Sequence, residues 1–147
     1  LPEMSQGCFE CSGNEEYRTM PQEDFGLISV IMAAYNAEKT IEQAVNSVLN
    51  QTYPNFELLV VNDHSTDRTM ELVESIAAKD RRVHLISNSK NCGVSHTRRH
   101  GLDRAEGLWI AILDSDDLWA PEKLEKQINL QRKTNADLLF TGSAFID

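Results

Sequence analysis

Three carboxylates stand close together after one strongly apolar stretch of the sequence, in the segment LWIAILDSDDLW at residues 108–119. Asp114, Asp116 and Asp117 bring like charges together, and charges packed this closely repel one another. A divalent cation relieves that repulsion. Mg²⁺ or Mn²⁺ takes one or two carboxylates and completes its shell with water and phosphate oxygens. The spacing therefore predicts a site for Mn²⁺ or Mg²⁺, with Asp114 and Asp116 as the metal ligands.

Further polar clusters follow the other apolar stretches, at residues 33–36 (AAYN), at residues 62–65 (NDHS) and within residues 88–99. Arg98 supplies a guanidinium for phosphate charge, Tyr35 offers a flat face for a nucleobase, and Asp63 offers an acceptor for an imino N–H. The turn AAYNAEKT has no glycine, which excludes the dinucleotide-binding fingerprint and the Walker phosphate loop. Together with the metal site, these residues predict binding of a nucleotide diphosphate.

Each of these residues also has a simpler interpretation that the sequence leaves open. Tyr35 alone is more often a packed aromatic, and Asp63 alone is typical of a cap on the second helix. Arg98 alone is typical of a solvated helix face. These interpretations differ in the burial and the contacts that they require of each side chain.

Five short apolar runs predict the strands that carry these clusters, at residues 27–34, 56–61, 83–87, 108–113 and 138–140. Runs this continuous are typical of strands buried on both faces. Between them, helical spacing of apolar residues predicts four helices, with Ser95 as a cap of the third and Pro121 in the first turn of the fourth. We therefore expect an α/β fold, a mostly parallel sheet with helices on both faces in a Rossmann-like arrangement. Ligands bind beyond the carboxyl ends of the strands in such sheets, so the polar clusters meet at one edge.

Composition limits the partners and the location of the chain. The 147 residues carry 14 basic and 23 acidic side chains, a net charge of −9. This balance argues against nucleic acid as a partner, because that binding needs a basic field. No apolar stretch approaches the ~20 residues that cross a bilayer, so no membrane span is expected. Three cysteines and no visible signal peptide favour a cytoplasmic location.

Residues 1–24 differ from the rest of the sequence, since they are acidic and show neither helical nor strand periodicity. They predict a poorly ordered leader or a cloning remnant. Cys8 and Cys11 within them provide too few ligands for a zinc site without further partners nearby. The folded domain is therefore expected to comprise residues 25–147.

Two long segments of this domain carry ordered motifs. The first, from residue 27, is LISVIMAAYNAEKTIEQAVNSVLNQTYPNFELLVVNDHSTDRT, and the second, from residue 91, is NCGVSHTRRHGLDRAEGLWIAILDSDDLWAPEKL. Both resemble the family 2 glycosyltransferases, inverting enzymes of the GT-A fold, and the second includes the DxD region of that family. The resemblance extends to about residue 140. It implies a domain that binds a nucleotide-diphospho-sugar, with a UDP-sugar as the first choice of donor.

The resemblance also implies a role for each residue at the strand ends. Tyr35 would stack near the base, Asp63 would accept from its imino nitrogen, and Arg98 would approach the base or the diphosphate. Asp114 and Ser115 would contact the ribose, and Asp116 would hold the metal on the diphosphate. The substrate-binding residues implied in this way are Ala33, Tyr35, Asn36, Asp63, Arg98, Asp114, Ser115 and Asp116.

Four positions depart from the usual pattern of the family. Ala33 replaces a proline whose contact is made by backbone, so that contact is expected to remain. Asn62 replaces the first aspartate of an Asp-Asp pair, and His64 replaces the glycine that follows the pair. Arg99 replaces a frequent asparagine. The changes at residues 62 and 64 touch the base pocket and bear on the choice of nucleotide.

Inverting transfer also needs a general base that deprotonates the acceptor hydroxyl. In the family this carboxylate and the acceptor-binding elements lie beyond the DxD half, so no catalytic base is assigned in residues 1–147. We expect the nucleotide-binding half of a transferase, truncated on its C-terminal side, which binds donor without appreciable transfer.

The acceptor class (saccharide, lipid-linked or protein) is left open, and the cytoplasmic location includes the cytoplasmic face of a membrane. A non-catalytic nucleotide or nucleotide-sugar binding module is the alternative function. A nucleotidyltransferase would need a glycine-rich, basic first loop, which AAYNAEKT is not.

Overall fold

The structure is a computed structural model that describes residues 25–142 and 144. The predicted leader at residues 1–24, with Cys8 and Cys11, lies outside the described residues. Strands and helices alternate along the chain, in the order β1 Ile28–Ala34, α1 Ile41–Leu49, β2 Phe56–Asn62, α2 Thr69–Ala77, β3 Val83–Ser87, α3 Val94–Leu102, β4 Trp109–Asp114 and α4 Lys123–Thr134.

The four strands form one parallel sheet in the order β3-β2-β1-β4. The two central strands are almost fully buried, whereas exposed positions appear along the edge strands β3 and β4. This pattern agrees with the near-continuous apolar runs of β1 and β2, because a central strand has protein on both faces. The predicted α/β class and the first four predicted strands are confirmed.

Helices cover both faces of the sheet, as predicted. Side chains alternate along each strand, so Val30 and Met32 face one side while Ile31 faces the other. The first side packs against the apolar stripes of α1, α2 and α4 in a single core, which includes Ile41, Ala44, Val45, Val48, Val73, Leu124 and Ile128. Helix α3 covers the second side over β1 and β2. A Cβ on Gly101 would lie 2.7 Å from Cγ2 of Ile31, so glycine permits this close approach.

The predicted fifth strand at residues 138–140 is wrong. These residues follow the left-handed turn at Asn135 and form no strand in the described structure. Leu138 and Phe140 are 70% and 85% exposed, so two of the three apolar residues lack the packing contacts that stabilise a strand. Residues 137–141 instead line an apolar groove of about 370 Å³ with β4 and α4, which contains none of the predicted site residues.

The starts of two helices differ from the sequence prediction. Helix α3 begins at Val94, after Gly93 at φ 82°, so Ser95 lies inside the helix and does not cap it. Helix α4 begins at Lys123, two residues after Pro121. None of the four helices in the described residues is long and apolar enough to cross a membrane.

A buried polar cluster joins β1, β2 and the α3–β4 loop near the amino ends of the strands. Ser29 and Glu57 are register partners, and the Ser29 hydroxyl donates to Glu57 Oε1. The backbone N–H of Gly107 donates to Ser29 Oγ at 2.8 Å, and that of Glu106 donates to Glu57 Oε1 at 2.8 Å. These bonds hold the loop before β4 against the sheet, and so set where β4 begins.

Gly107→Ala is expected to destabilise the protein, because its Cβ would lie 2.5 Å from the backbone nitrogen of Ser29 and 2.8 Å from the carbonyl of Leu27. Backbone atoms cannot rotate away, so the cost is that of overpacking, about 1–3 kcal/mol. Gly142→Ala is the matched control, since nothing lies within 4 Å of its added Cβ. Thermal unfolding of both variants measures the difference, and equal melting temperatures would contradict the close packing of Gly107.

Candidate functional site

Parallel pairing brings the predicted site residues to one edge of the sheet. Ala34 pairs with Asn62, and Ala33 pairs with Asp114, so β1, β2 and β4 end level with one another. The residues that directly follow these strands therefore lie side by side. They include Tyr35, Asn36, Asp63, His64, Ser115 and Asp116.

The carboxylate of Asp63 organises this edge. Asp63 is only 3% exposed, and its Oδ1 accepts from Asn88 Nδ2 and from the backbone N–H of Cys92, both at 2.8 Å. Its Oδ2 accepts from the backbone N–H of Gly93, also at 2.8 Å. Asp63 thus holds the loop that leads into α3. It makes no bond to α2, where Asp67 accepts from the N–H of Thr69, so the interpretation of Asp63 as a cap on that helix is wrong.

Burial by itself raises the pKa of Asp63. Hydrogen bonds from the Asn88 side chain and from the Cys92 and Gly93 backbone N–H groups outweigh this effect and hold the pKa below its ordinary value of 3.8. The carboxylate is therefore charged at neutral pH. Its charge is offset by N–H dipoles, since no cation is paired with it among the described residues.

Asn88 extends this network to the far end of α3. Its side chain is buried and also donates to Thr97 Oγ1 at 3.0 Å, while the Thr97 hydroxyl donates to the Gly93 carbonyl. Its Oδ1 lies 2.7 Å from His100 Nδ1, which assigns the hydrogen of the neutral imidazole to Nδ1. Sequence reasoning assigned no role to Asn88. The only sequence signal is an amide directly after the predicted third strand.

Arg98, on the anchored helix α3, reaches β4. Its Nη2 lies 2.5 Å from Asp114 Oδ1, and the two side chains are 35% and 46% exposed. Its Nε is buried and has no hydrogen-bond partner in the described residues. The interpretation of Arg98 as a solvated helix face is therefore wrong, since Arg98 neutralises a strand-end carboxylate and still has one donor free.

The loop after β4 is held by contacts with α1 and the α1–β2 turn. The backbone N–H of Trp119 donates to Ser47 Oγ at 3.2 Å. The buried side chain of Gln51 donates to the Ala120 carbonyl at 2.8 Å and accepts from the N–H of Leu124 at 3.0 Å. Asp116 lies on this loop with its side chain exposed, at the rim of a cleft of about 1080 Å³.

Asp114, Asp116 and Asp117 do not form the close cluster of carboxylates that the sequence predicts. Asp114 is paired with Arg98, and no three His, Cys, Asp or Glu side chains in the described residues form a group that could hold a metal ion. The donor set that remains is the exposed carboxylate of Asp116 with Asp114 two residues away. This set fits a Mg²⁺ or Mn²⁺ ion that takes most of its ligands from water and a diphosphate.

Lys123 is a further charged group in this cleft that sequence reasoning missed. Its Nζ lies 3.5 Å from the centroid of the Trp119 ring, a cation–π contact. Burial lowers the pKa of Lys123 to about 8. Lys123 also lines the cleft beside Asp116 and Asp117. The signal available in the sequence is the spacing of an aromatic and a lysine after the three aspartates.

Tyr35 and Asn36 differ in what they offer to a ligand. Tyr35 is 51% exposed, so its interpretation as a packed aromatic is wrong. The backbone of Asn36 has φ 49°, its N–H donates to Ser65 Oγ at 3.1 Å, and its Oδ1 accepts from the N–H of Thr66 at 2.8 Å. The Asn36 side chain thus joins the first loop to the second, while the Tyr35 ring is free to contact a ligand.

More hydrogen bonds join the β1–α1 and β2–α2 loops. The N–H of Glu38 donates to Asp67 Oδ2 at 3.0 Å, and the N–H of Arg68 donates back to Glu38 Oε2 at 3.1 Å. The N–H of Ala37 donates to the buried Thr69 hydroxyl at 2.8 Å. Because these bonds cross between loops, they fix the separation of the residues that each loop presents at the edge of the sheet.

Comparison with known proteins assigns this architecture. A family model described as Glycosyl transferase family 2 matches residues 29–146. The chain is 44% identical over 121 residues to UDP-Glc:alpha-D-GlcNAc-diphosphoundecaprenol beta-1,3-glucosyltransferase WfgD of Escherichia coli. The aligned region covers 82% of this chain and 47% of that protein. The chain spans about half the length of the first curated relatives that it matches.

Solved structures of two other proteins match the fold of this chain. The crystal structure of S. aureus TarS in complex with UDP-GlcNAc matches with a TM-score of 0.70 at 34% identity, over 75% of this chain and 32% of that one. The mannosyltransferase PcManGT from Pyrobaculum calidifontis, in complex with GDP-Man and Mn²⁺, matches with a TM-score of 0.65 at 27% identity, over 73% of this chain and 32% of that one. The fold is that of the GT-A transferases, and the chain belongs to the family 2 glycosyltransferases.

Proposed function

We propose that this chain binds the nucleotide-diphospho-sugar donor of an inverting glycosyltransferase, with a divalent cation on the diphosphate. The observation that carries the proposal is the edge formed by the ends of β1, β2 and β4. There an exposed aromatic ring, a guanidinium with an unpartnered donor and an exposed carboxylate lie on elements that hydrogen bonds fix in place. A nucleoside diphosphate needs these three kinds of partner.

Each part of the donor has a candidate partner in this arrangement. Tyr35 stacks on the base, and Arg98 directs its free Nε to the base or to phosphate charge. Asp114 and Ser115 contact the ribose. Asp63 accepts from the imino nitrogen of the base with the acceptor capacity that its three protein hydrogen bonds leave, since a carboxylate offers about four acceptor positions.

Asp116 is the residue that holds the cation, Mn²⁺ or Mg²⁺, with Asp114 as its neighbour in the DxD motif. When bound, the cation neutralises charge that develops on the departing diphosphate. The contribution of the chain is to keep Asp116 at the rim of the cleft, through the bonds from Ser47 and Gln51 that fix its loop. Arg98 compensates Asp114, so the edge accepts a polyanion without excess negative charge.

A UDP-sugar is the donor that the relatives support best. TarS, at 34% identity, has been crystallised with UDP and with UDP-GlcNAc, and WfgD is named for UDP-Glc. The name of WfgD also describes a lipid-linked acceptor. Among the open acceptor classes we therefore favour a lipid-linked saccharide, with the protein at the cytoplasmic face of a membrane.

Nucleotide binding is expected to depend on the metal through Asp116. UDP with Mn²⁺ should raise the melting temperature of the parent chain, because a ligand that binds only the folded state stabilises it. EDTA or Asp116→Ala should remove most of that rise, since each deletes a bridge between protein and diphosphate. Asp137→Ala removes an exposed aspartate at the apolar groove and is the matched control.

Thermal shift and calorimetric titration with UDP measure this prediction. Binding that is as tight in EDTA as in Mn²⁺, or an equal loss in the Asp116 and Asp137 variants, would contradict the metal role of Asp116. A parent chain that shows no response to UDP, GDP or inorganic diphosphate with Mn²⁺ would contradict the proposed function itself.

Asp63→Asn is expected to destabilise the fold by about 1–3 kcal/mol, because an amide N–H₂ would face a backbone donor that now meets an acceptor. The pKa of Asp63 is below 3.8 in the folded chain, so its stabilising effect is complete above that pH and is lost as the pH falls through the folded pKa. The difference in unfolding free energy between parent and variant should therefore shrink as the pH falls below about 4.

Urea unfolding at several pH values measures this difference, with Asp103→Asn, directly after α3, as the control. Asp103 is an exposed partner of Arg99 and is expected to contribute at most about 1 kcal/mol. A difference for Asp63→Asn that is as large at pH 3 as at pH 7 would be inconsistent with a charged Asp63 in the fold.

A further inference from the structure

Left-handed backbone at non-glycine residues is confined to three positions in the described residues, namely Asn36, His64 and Asn135. Asn135 ends α4, where this conformation is common. Asn36 is an asparagine, which tolerates it. His64 adopts it at φ 61°, where glycine would meet no steric penalty from a Cβ. Strained backbone of this kind tends to cluster at functional sites.

The loop around His64 is held firmly on both sides. The N–H of Asp63 donates to the Ala34 carbonyl at 2.8 Å, and the N–H of Ser65 donates to Asn62 Oδ1 at 3.1 Å. These bonds maintain the left-handed turn. They do not explain why a histidine occupies it, since glycine would adopt the same backbone without strain.

No intramolecular contact of the His64 side chain in the described residues explains why histidine occupies this position. The side chain is exposed, and no hydrogen bond or ion pair joins its imidazole to residues 25–142 or 144. It directly follows Asp63 at the end of β2, next to the end of β1 that presents Tyr35. His64 is therefore a polar group with free hydrogen-bonding capacity at the edge proposed for the base.

Asp63 alone cannot hydrogen-bond to both the imino N–H and a carbonyl oxygen of the base. Asp63 already accepts three protein hydrogen bonds, which leave about one acceptor position. In uracil the imino N–H is flanked by two carbonyl oxygens, so one acceptor and an adjacent donor match this edge. A carboxylate supplies only the acceptor. An imidazole N–H supplies the donor.

We propose that His64 is a specificity-determining residue for the nucleoside of the donor, whose imidazole donates to a carbonyl of the base beside the imino contact of Asp63. The strained backbone is retained because the turn places an imidazole at this point of the edge. This inference rests on the proposed function and names a residue that recognises the nucleoside but not the diphosphate.

The test compares His64→Gly, His64→Asn and Asn135→Gly with the parent for binding of UDP and of inorganic diphosphate, both with Mn²⁺. Glycine and asparagine both suit the left-handed backbone, so the His64 variants should melt no lower than the parent. Asn135→Gly makes the same backbone change at the end of α4, away from the strand-end edge, and is the matched control.

His64→Gly is expected to weaken UDP about tenfold, the effect of one lost hydrogen bond, and His64→Asn, whose amide still offers an N–H donor, is expected to lose less. Their affinity for inorganic diphosphate should stay within about twofold, and Asn135→Gly should bind both ligands like the parent. A larger loss for UDP in His64→Asn than in His64→Gly would overturn the inference, because asparagine keeps a donor that glycine lacks.

Two further results would also overturn it. Parent-like UDP affinity in both His64 variants would show that the imidazole makes no contact with the base. This result would not contradict nucleotide binding by the chain. Equal losses for UDP and diphosphate would show that His64 does not recognise the nucleoside. A parent chain that binds neither ligand would contradict the proposed function and this inference with it.

Discussion

A carboxylate that leaves water must find protein donors for its lone pairs, and this requirement at Asp63 arranges the whole site. The side chain is 3% exposed and is satisfied by Asn88 and by the N–H groups of Cys92 and Gly93. An unsatisfied buried charge would cost several kcal/mol, so the loop before α3 has to fold around Asp63. The start of α3 is thereby fixed, and with it the guanidinium of Arg98.

The parallel sheet converts this local requirement into a shared edge. All strands point the same way, so each strand end delivers its following residue to one side of the molecule. Hydrogen bonds between the β1–α1 and β2–α2 loops keep these residues at set distances, and Gln51 does the same for the loop that carries Asp116. The geometry of the site is therefore a property of the loops' mutual contacts, with the sheet as their common base.

Periodicity in the sequence predicted the four strands and their convergence, because burial of central strands leaves a continuous apolar pattern. It failed at residues 138–140, where an apolar run pairs with no strand of the described sheet and two of its three side chains stay exposed. It also missed Asn88 and the internal partners of Asp63. Those bonds join residues 25 to 30 positions apart, and no local pattern records which donor will face a given carboxylate.

Buried polar groups at the two ends of the sheet differ in whether they have hydrogen-bond partners within the described protein. At the amino ends, Ser29 and Glu57 bond to each other and to backbone N–H groups of the α3–β4 loop. At the carboxyl ends, Arg98 retains a buried Nε without a partner and Tyr35 stays exposed. A buried donor without a partner costs stability, and a fold retains that cost where a ligand supplies the missing acceptor. This asymmetry favours the carboxyl edge as the place where the chain meets its substrate.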